Sequence, residues 1–402
     1  MFQPVLQVSA TSADPVMSLE LHRGMRPLRV VIKVKVKIFG AGSIGNHLAH
    51  GCRNKGWEVV MVDLDARALQ RTKEQIYPGR YGAWDLTIRL AQPNEVAKDP
   101  FDLVIVGTPP DTHLKVALQQ LRDCPPRVML IEKPLCTPTL EGADELVTQS
   151  RAAGTFVATG YNHTLTANTI HVENLLAQGV VGKVCTIAAS FREYWGGIFS
   201  AHPWLAGPQD SYLGYSKRGG GASGEHSHAV NIWQHFARLT GAGRVREVSA
   251  MLDMVETGQV CYDRICQLHV RTEHGLVGLI VQDVVTEPAQ KLARIQGEGG
   301  HVEWLVNPMS GQDAVRWQAT GGSAGEMLFP KQRPDDFKGE LDHIEGCVRG
   351  ATDDSPVALE RGLESMMVIA AAHVSHRLRR SVTIDYSKGW NLEAIQPTGE
   401  AA

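Results

Sequence analysis

The chain has 402 residues, of which 43% are hydrophobic and 21% are charged, and its formal net charge is −3. These values fit a globular protein of two or three domains and exclude a disordered, fibrous or membrane-spanning chain. The near balance of 40 basic and 43 acidic residues also argues against a nucleic-acid-binding protein, which needs a basic surface to neutralise phosphates.

Residues 1–26 are predicted to form a loosely attached N-terminal extension. Their start lacks the basic and apolar segments of a secretory signal, so no such signal is predicted. No run of 18 apolar residues predicts a transmembrane helix. The seven cysteines are widely spaced without a CxxC pair, which favours reduced thiols over disulfides or a zinc site. We therefore expect a cytoplasmic protein without a metal.

Strands and helices alternate through residues 27–160. Apolar runs predict strands at residues 34–39, 57–62, 101–106, 128–131 and 156–159. Amphipathic stretches predict helices near residues 44–52, 69, 114–121 and 140–147, and Asp65 is placed to cap the second of them. This alternation is typical of a doubly wound parallel sheet, so we expect an α/β domain.

After residue 160 the pattern changes to longer strands. We expect a helix at 170–176, a strand at 183–189, a long loop at 192–221 and a helix at 224–239. Further strands are predicted at 245–255, 265–271, 275–284 and 292–297, with a hairpin turn at TEHG, and helices at 335–350 and 356–378. Residues 161–402 are therefore predicted to form an α+β domain with an open, mainly antiparallel sheet.

A glycine-rich turn joins the first strand to the first helix. Gly40, Gly42 and Gly45 have the G-x-G-x-x-G spacing, with Ser43 and Ile44 between the last two. The first glycine permits the turn, the second lets a pyrophosphate approach the backbone, and the third lets helix and strand pack closely. The helix N-terminus offers free N–H groups to the phosphates, so these five residues predict a dinucleotide site in a Rossmann domain.

The second strand ends in Asp63, 18 residues after Gly45. A carboxylate there accepts hydrogen bonds from the adenosine ribose and repels a 2′-phosphate, which favours NAD over NADP. Arg67 and Arg71 lie close enough in sequence to keep NADP open as the alternative.

Three further motifs each follow a predicted strand. They are VIVGTPPDTH with Thr108, Pro109 and His113, LIEKPL with Glu132, Lys133 and Pro134, and GYNH with Tyr161, Asn162 and His163. With the glycine turn, they make residues 30–385 resemble the glucose–fructose oxidoreductase / inositol dehydrogenase / rhizopine catabolism (Gfo/Idh/MocA) family. The resemblance implies a Rossmann domain followed by an α+β domain whose open sheet serves a homo-oligomer, a dimer or tetramer.

The resemblance also implies a catalytic role for Lys133. Its ammonium would hold the substrate hydroxyl near the nicotinamide, stabilise the developing alkoxide and share in proton transfer. Glu132 would position Lys133 beside the cofactor, and the Lys133–Pro134 bond would be cis.

Other cofactor contacts are implied by the same motifs. Thr108 and Pro109 would line the adenosine side, and Asn162 would lie near the nicotinamide. Tyr161 is expected in the core, while His113 is either a contact at a helix start or ordinary packing.

The motif of the second domain departs from the family pattern, which places an Asp one helical turn before a His. When His228 is matched to that histidine, Gly224 occupies the position of the Asp. We expect Glu225, three residues before His228, to share one helix face with it. His228 is then the expected general base, and Glu225 would orient it or bind a substrate hydroxyl. An alternative register exchanges His228 with His226, and the weaker reading of EHSH as a metal site lacks a third ligand with a supporting spacing.

The long loop is rich in aromatic residues, whose flat faces stack on sugar rings. Trp195 is the aromatic candidate for substrate binding, and Arg192, Lys217 and Arg218 could engage hydroxyls or an acidic group. The glycines at 219–221 would let the loop bend back towards His228.

These residues predict an NAD(P)-dependent oxidoreductase that acts on a secondary alcohol of a sugar, sugar derivative or cyclitol. Two alternatives stay open: an NAD-using glycosidase or eliminating enzyme with transient oxidation, and a non-catalytic dinucleotide-binding regulator. The regulator stays open as an alternative because Gly224 replaces the expected Asp.

Overall fold

A computed structural model describes residues 33–200, 202, 204–322, 324–332 and 335–399. The predicted N-terminal extension, residues 1–26, lies outside them. Contacts divide the chain into Met1–Lys33 and Val34–Ala402, and the architecture given below is that of the second unit.

The first sheet has six parallel strands in the order β3-β2-β1-β4-β5-β6. The strands are β1 (Lys35–Phe39), β2 (Glu58–Val62), β3 (Arg89–Ala91), β4 (Leu103–Val106), β5 (Val128–Ile131) and β6 (Phe156–Thr159). The helices between them are α1 (Ser43–Asn54), α2 (Ala66–Arg71), α3 (Tyr77–Tyr81), α4 (Pro110–Asp123) and α5 (Ala143–Ala153). This confirms the predicted doubly wound sheet, in which β4 and β5 are buried along their whole length.

The second sheet has ten strands in the order β14-β13-β12-β11-β7-β10-β9-β8-β15-β16. The first five along the chain are β7 (Val184–Arg192), β8 (Val245–Thr257), β9 (Val260–Thr272), β10 (Val277–Asp283) and β11 (Gln290–Gly297). The other five were not predicted: β12 (Gly300–Met309), β13 (Gln312–Ala319), β14 (Ala324–Pro330), β15 (Val382–Ile384) and β16 (Ile395–Pro397). Only the β7–β10 pair is parallel among these described strands, so the expected mainly antiparallel sheet is confirmed.

Six further α-helices follow in the described ranges: α6 (Ala167–Ala177), α7 (Gly196–Ser200), α8 (Gly221–Glu225), α9 (His228–Leu239), α10 (Asp335–Val348) and α11 (Leu359–Leu378). The continuous helix predicted over 224–239 is wrong, because the chain leaves the helix between α8 and α9. Within the described ranges, no helix combines the length and the apolar character that crossing a membrane requires.

Helix α10 lies against the first sheet although it comes late in the chain. Leu341 and Ile344 belong to the same buried cluster as the strands of that sheet. Lys55 at the end of α1 forms ion pairs with Asp342 at 2.5 Å and with Glu345 at 2.7 Å. The first sheet is therefore completed by residues from the far end of the chain.

The two faces of the second sheet differ. One face packs against α9 and α11, and Trp233 of α9 is fully buried there, with its indole N–H donating to the Ile187 carbonyl at 2.8 Å. The other face leaves Met251, Val277 and Leu279 exposed by 73%, 42% and 36%. Alternation along each strand produces this division, because successive side chains point to opposite faces.

We expect Trp233→Ala to lower the free energy of unfolding by about 3–5 kcal/mol, because it empties a large buried volume and frees a buried carbonyl. Leu239→Ala, at a 44% exposed position of the same helix, is the control and should change stability by about 0.5 kcal/mol or less. Chemical denaturation of both variants measures the difference, and equal losses would contradict the packing described here.

Candidate active site

The glycine turn after β1 has the geometry that a dinucleotide diphosphate requires. Gly40 has a φ of 104°, and a Cβ there would lie 2.5 Å from the Gly107 carbonyl oxygen. A Cβ on Gly45 would lie 2.0 Å from the Gly40 carbonyl oxygen, so helix and strand pack too closely for a side chain. At Gly42, by contrast, a Cβ would meet no described atom within 4 Å, and no described side chain caps the α1 N-terminus. The open space and free N–H groups fit a diphosphate.

Asp63 is held in place at the end of β2. Its Oδ2 accepts from the Ala41 amide at 2.9 Å, and its Oδ1 accepts from the Asp65 amide at 2.9 Å. Asp65 caps α2 as predicted, since its side chain accepts from the Arg67 amide. The Arg67 side chain is 89% exposed and pairs with Asp65, and the Arg71 guanidinium lies over the Trp204 ring. Arg67 therefore has a partner other than a ribose phosphate, whereas Arg71 Nε is buried without a hydrogen-bond partner among the described residues.

His113 links two loops at the carboxyl edge of the first sheet. Its Nδ1 lies 3.0 Å from the Pro134 carbonyl oxygen, and its Nε2 lies 2.6 Å from the Thr108 carbonyl oxygen. Both ring nitrogens thus face backbone carbonyl oxygens, to one of which the N–H of the ring donates, and the side chain is 1% exposed. Of the two readings left open, packing is the one that this placement supports.

Glu132, which directly follows β5, is buried. Its Oε2 accepts from the Lys133 amide at 3.3 Å, while its Oε1 has no partner among the described residues. Burial raises the pKa of this carboxyl to about 7, although the neighbouring Lys133 opposes the shift. Gly160 is required beside it, because a Cβ there would lie 2.9 Å from Glu132 Oε2.

Lys133 pairs with Glu225 between the two sheets. The Lys133 Nζ donates to the Glu225 carbonyl oxygen at 2.9 Å and lies 3.4 Å from Glu225 Oε2. Both side chains are about four-fifths buried, with exposures of 18% and 19%. The Lys133–Pro134 bond is cis, as the resemblance implied. A carboxylate therefore does stand beside the lysine, one residue after the position where the family pattern expected it.

Close packing explains why residue 224 is a glycine. A Cβ there would lie 2.0 Å from the Gly219 carbonyl oxygen, so an Asp at this position would displace the backbone. Asp263 fixes the same short helix, because its Oδ2 accepts from the Ser223 amide at 2.7 Å. A Cβ on Gly221 would lie 2.1 Å from Asp263 Oδ1. The glycine run thus seats α8 tightly.

The helix break separates Glu225 from His228, so the expectation that they share one continuous helix face is wrong. Glu225 ends α8 and turns to Lys133, whereas His228 begins α9 and lies 5.5 Å, ring to ring, from Tyr161. Burial lowers the pKa of His228 well below its usual value, and nearby His163 and Lys133 add to the effect. The imidazole is therefore neutral at pH 7.

His226 occupies a different place from His228. It is 5% exposed, its carbonyl oxygen accepts from Gln282 Nε2 at 2.7 Å, and its Nε2 has no partner among the described residues. Burial lowers its pKa to about 3. Because His228 faces the carboxyl end of the first sheet through Tyr161, the register that uses His228 is the one this geometry supports.

The motif after β6 contains a residue that sequence reasoning passed over. Tyr161 is 1% exposed and belongs to the core, as predicted, and Asn162 begins a short 3-10 turn. The next residue, His163, lies 4.5 Å from His228, ring to ring. The available signal was its place in GYNH, three residues after a glycine that follows a parallel strand.

Three of the predicted loop residues have other partners. Trp195 is 6% exposed and packs against Tyr262 at 4.9 Å, so its rings are covered and its expected stacking on substrate is wrong. Arg192 pairs with buried Asp283 at 2.6 Å. Arg218 pairs with Asp111 at 2.7 Å and so ties the loop to α4.

Lys217 is the predicted loop residue that stays exposed. Sequence reasoning missed Lys291, which pairs with Glu193 at 2.5 Å and acts electrostatically on the site histidines. Among the described residues, no cluster of three or more His, Cys, Asp or Glu side chains is arranged to hold a metal ion.

The fold and the glycine turn define a dinucleotide-binding protein, and comparison with known families gives its class. Residues 34–161 match the oxidoreductase family with an NAD-binding Rossmann fold, and residues 169–303 match the C-terminal domain of the same GFO/IDH/MocA family. The chain belongs to this family, and its first domain is the NAD-binding domain.

Individual relatives are more distant. The uncharacterized oxidoreductase YdgJ of Escherichia coli (strain K12) is 28% identical over 112 residues, which is 28% of this chain and 32% of that protein. The match thus spans about a third of that relative's length.

Solved structures share the fold over most of the chain. An aldose-aldose oxidoreductase from Caulobacter crescentus, complexed with glycerol, has a TM-score of 0.66 at 21% identity, covering 88% of this chain and 100% of that one. Levoglucosan dehydrogenase in complex with NADH and L-sorbose has a TM-score of 0.70 at 15% identity, covering 87% and 98%. At these identities the likeness concerns the fold alone.

We expect Gly224→Ala to lower the free energy of unfolding by about 1–3 kcal/mol, because the new methyl group meets backbone that cannot move freely. Gly339→Ala is the matched control: its Cβ would meet no described atom within 4 Å, and alanine favours the helix it lies in. Thermal and chemical unfolding should separate the two variants in opposite directions. A Gly224→Ala protein as stable as wild type would contradict the close contact with Gly219.

Proposed function

We propose that the protein is an NAD-dependent dehydrogenase acting on a secondary alcohol of a sugar, sugar derivative or cyclitol. The observation that carries the proposal is the pairing of Lys133 with Glu225 beside neutral His228, at the carboxyl edge of the NAD-binding sheet. In α/β sheets of this kind, ligands bind at that edge. The names of the solved relatives, which include dehydrogenases of sugars, support the substrate class.

The residues proposed to hold the cofactor follow the edge of the first sheet. The diphosphate would lie on the glycine turn formed by Gly40, Gly42, Ser43, Ile44 and Gly45, and the adenosine ribose on Asp63. Thr108 and Pro109 would line the adenosine side, Glu132 would support Lys133, and Asn162 would lie near the nicotinamide. NAD, when bound, accepts or returns the hydride of the reacting carbon. NAD is favoured over NADP because Asp63 repels a 2′-phosphate.

Lys133, Glu225 and His228 divide the handling of the hydroxyl group. The ammonium of Lys133 donates to the substrate oxygen and stabilises negative charge as the O–H bond breaks. Glu225 holds the ammonium in place through the 3.4 Å ion pair. His228 accepts the hydroxyl proton, and its lowered pKa leaves it in the neutral form that this step needs.

The substrate is proposed to lie between α8 and the long loop. With Trp195 covered, Tyr194, which is 51% exposed, offers an aromatic face to a sugar ring, whereas Trp204, 39% exposed, already has the Arg71 guanidinium over its ring. Arg192 is 40% exposed despite its ion pair, so it stays a candidate for a substrate hydroxyl together with Lys217 and Arg218. Lys217 is the one of these three without an ion pair among the described residues.

Purified protein should form NADH, followed by absorbance, with at least one member of a panel of sugars and inositols. Lys133→Ala should lower kcat/KM about 100-fold or more while NAD binding is retained, because the change removes charge stabilisation at the reacting oxygen. Lys115→Ala, at an exposed position of α4, is the matched control and should leave turnover unchanged.

Two results would contradict the proposal. Cleavage of glycosides without net NADH would indicate transient oxidation, and NAD binding without turnover of any substrate would indicate a regulator.

We also propose a cytoplasmic homo-oligomer that uses the open face of the second sheet. The seven cysteines are all free, as a reducing compartment would leave them. Met251, Val277 and Leu279 give the open face exposed apolar area, which a second copy would cover.

Leu279→Glu should convert the oligomer to monomers, because it places a charge in the apolar centre of that face. Leu86→Glu, at an 89% exposed position near the first sheet, is the control and should keep the wild-type assembly. Light scattering coupled to size-exclusion chromatography reads out the mass, and a wild-type protein that is already monomeric would refute the proposal.

A further inference from the structure

Two histidine rings from different parts of the fold meet at the centre of the site. His163 lies in the turn after β6, and His228 is the first residue of α9. Their ring centroids are 4.5 Å apart with an interplanar angle of 75°. The Nδ1 atoms of both rings are buried and have no hydrogen-bond partner among the described residues. Unpaired buried nitrogens are uncommon in proteins and call for an explanation.

His163 is held rigidly from its backbone and from its ring. Its carbonyl oxygen accepts from Thr169 Oγ1 at 2.6 Å and from Thr166 Oγ1 at 2.8 Å. Thr169 Oγ1 in turn accepts from the Trp304 indole N–H at 2.8 Å, and the Trp304 ring lies 5.6 Å from the His163 ring. The structure therefore fixes the backbone of this histidine while leaving its Nδ1 unused.

The charges around the two rings disfavour a second proton. Burial lowers the pKa of both imidazoles, and the cations of Lys133 and Lys291 lower it further. Lys331 adds to this effect at His163, and His226 at His228. Each lysine has an acidic partner: Glu225 for Lys133, Glu193 for Lys291, and Asp313 and Asp336 for Lys331. His163 also lowers the pKa of His228, and their rings are 4.5 Å apart, so a proton on one ring disfavours a proton on the other.

We propose that His163 and His228 form a coupled pair of neutral rings that takes up one proton from the substrate beside Lys133, which makes His163 a second acid–base residue of the site. The catalytic meaning of the pair rests on the proposed function, whereas the coupling itself does not. In the oxidation, the carbinol carbon gives up a hydride with its electron pair to NAD, and the O–H bond breaks. Its electrons form the carbonyl bond, and the proton passes to a lone pair on one imidazole of the pair and then to solvent.

Other titratable groups nearby are less suited to this task. Burial raises the pKa of Tyr161 far above neutrality, so its hydroxyl does not ionise. Glu132 already accepts from the Lys133 amide and lies beneath the loop. The backbone carbonyl of His226 accepts a hydrogen bond from the side chain of Gln282, which lies in strand β10.

The test is a titration of isotope-labelled histidine rings by NMR, with the full chain as wild type and as His163→Asn. We expect His228 to take up its proton at a pH about one unit higher in His163→Asn, because the neighbouring ring no longer opposes the charge. His171→Asn is the matched control. His171 also has a buried ring nitrogen without a partner among the described residues, but it lies in α6 and packs against Trp317. It should leave the titration of His228 unchanged.

Coupling is reciprocal, so His228→Asn should raise the protonation pH of His163 by the same amount, which keeps the test decisive if one variant folds poorly. With an oxidisable substrate, His163→Asn should also lower kcat about tenfold or more and move the acid limb of the pH–rate profile, unlike His171→Asn. An unchanged titration of the remaining ring in both variants would overturn the pair. A coupled pair in a protein that turns over no alcohol would instead overturn the proposed function and leave the pair standing.

Discussion

The ion pair between Lys133 and Glu225 is the interaction on which the site depends. Lys133 follows a strand of the first sheet, and Glu225 ends a helix that packs on the second, so the pair joins the two halves where a substrate would bind. Both side chains are largely buried, and a buried charge that lost its partner would be strongly unfavourable. The backbone on either side of the pair has a special geometry. A cis peptide bond follows Lys133, and a tightly packed glycine run precedes Glu225.

The sequence predicted the cofactor half of the molecule in more detail than the substrate half. Three local signals in the sequence correspond to features of the fold. They are the glycine spacing, the carboxylate after the second strand and the apolar strands that are buried on both faces. The unpredicted strands β12 to β14 carry charges such as Glu303, which pairs with Arg294 of β11, and Arg316, which pairs with Glu326, so their sequence resembles that of a loop. Their identity as strands depends on pairing with distant neighbours, which a linear pattern does not contain.

The errors in the site have the same origin. Trp195 has the residue type expected for a sugar platform, but residues from β9 and the loop cover it. Gly224 looked like a lost carboxylate, whereas its contact with Gly219 excludes any side chain and the neighbouring Glu225 reaches the lysine instead. His163 had no role in the sequence because its partner, His228, is brought to it only by folding. Each depends on contacts between residues far apart in the chain.

The placement of α10 has a consequence for how the protein is made. Leu341 and Ile344 cover part of the first sheet, yet more than 170 residues of the second sheet and its helices are synthesised between β6 and α10. Until α10 has been synthesised, the surface of the first sheet that it covers stays exposed, and this surface is apolar. Because α10 is synthesised only near the end of translation, the first sheet cannot complete its core until most of the second sheet has been made.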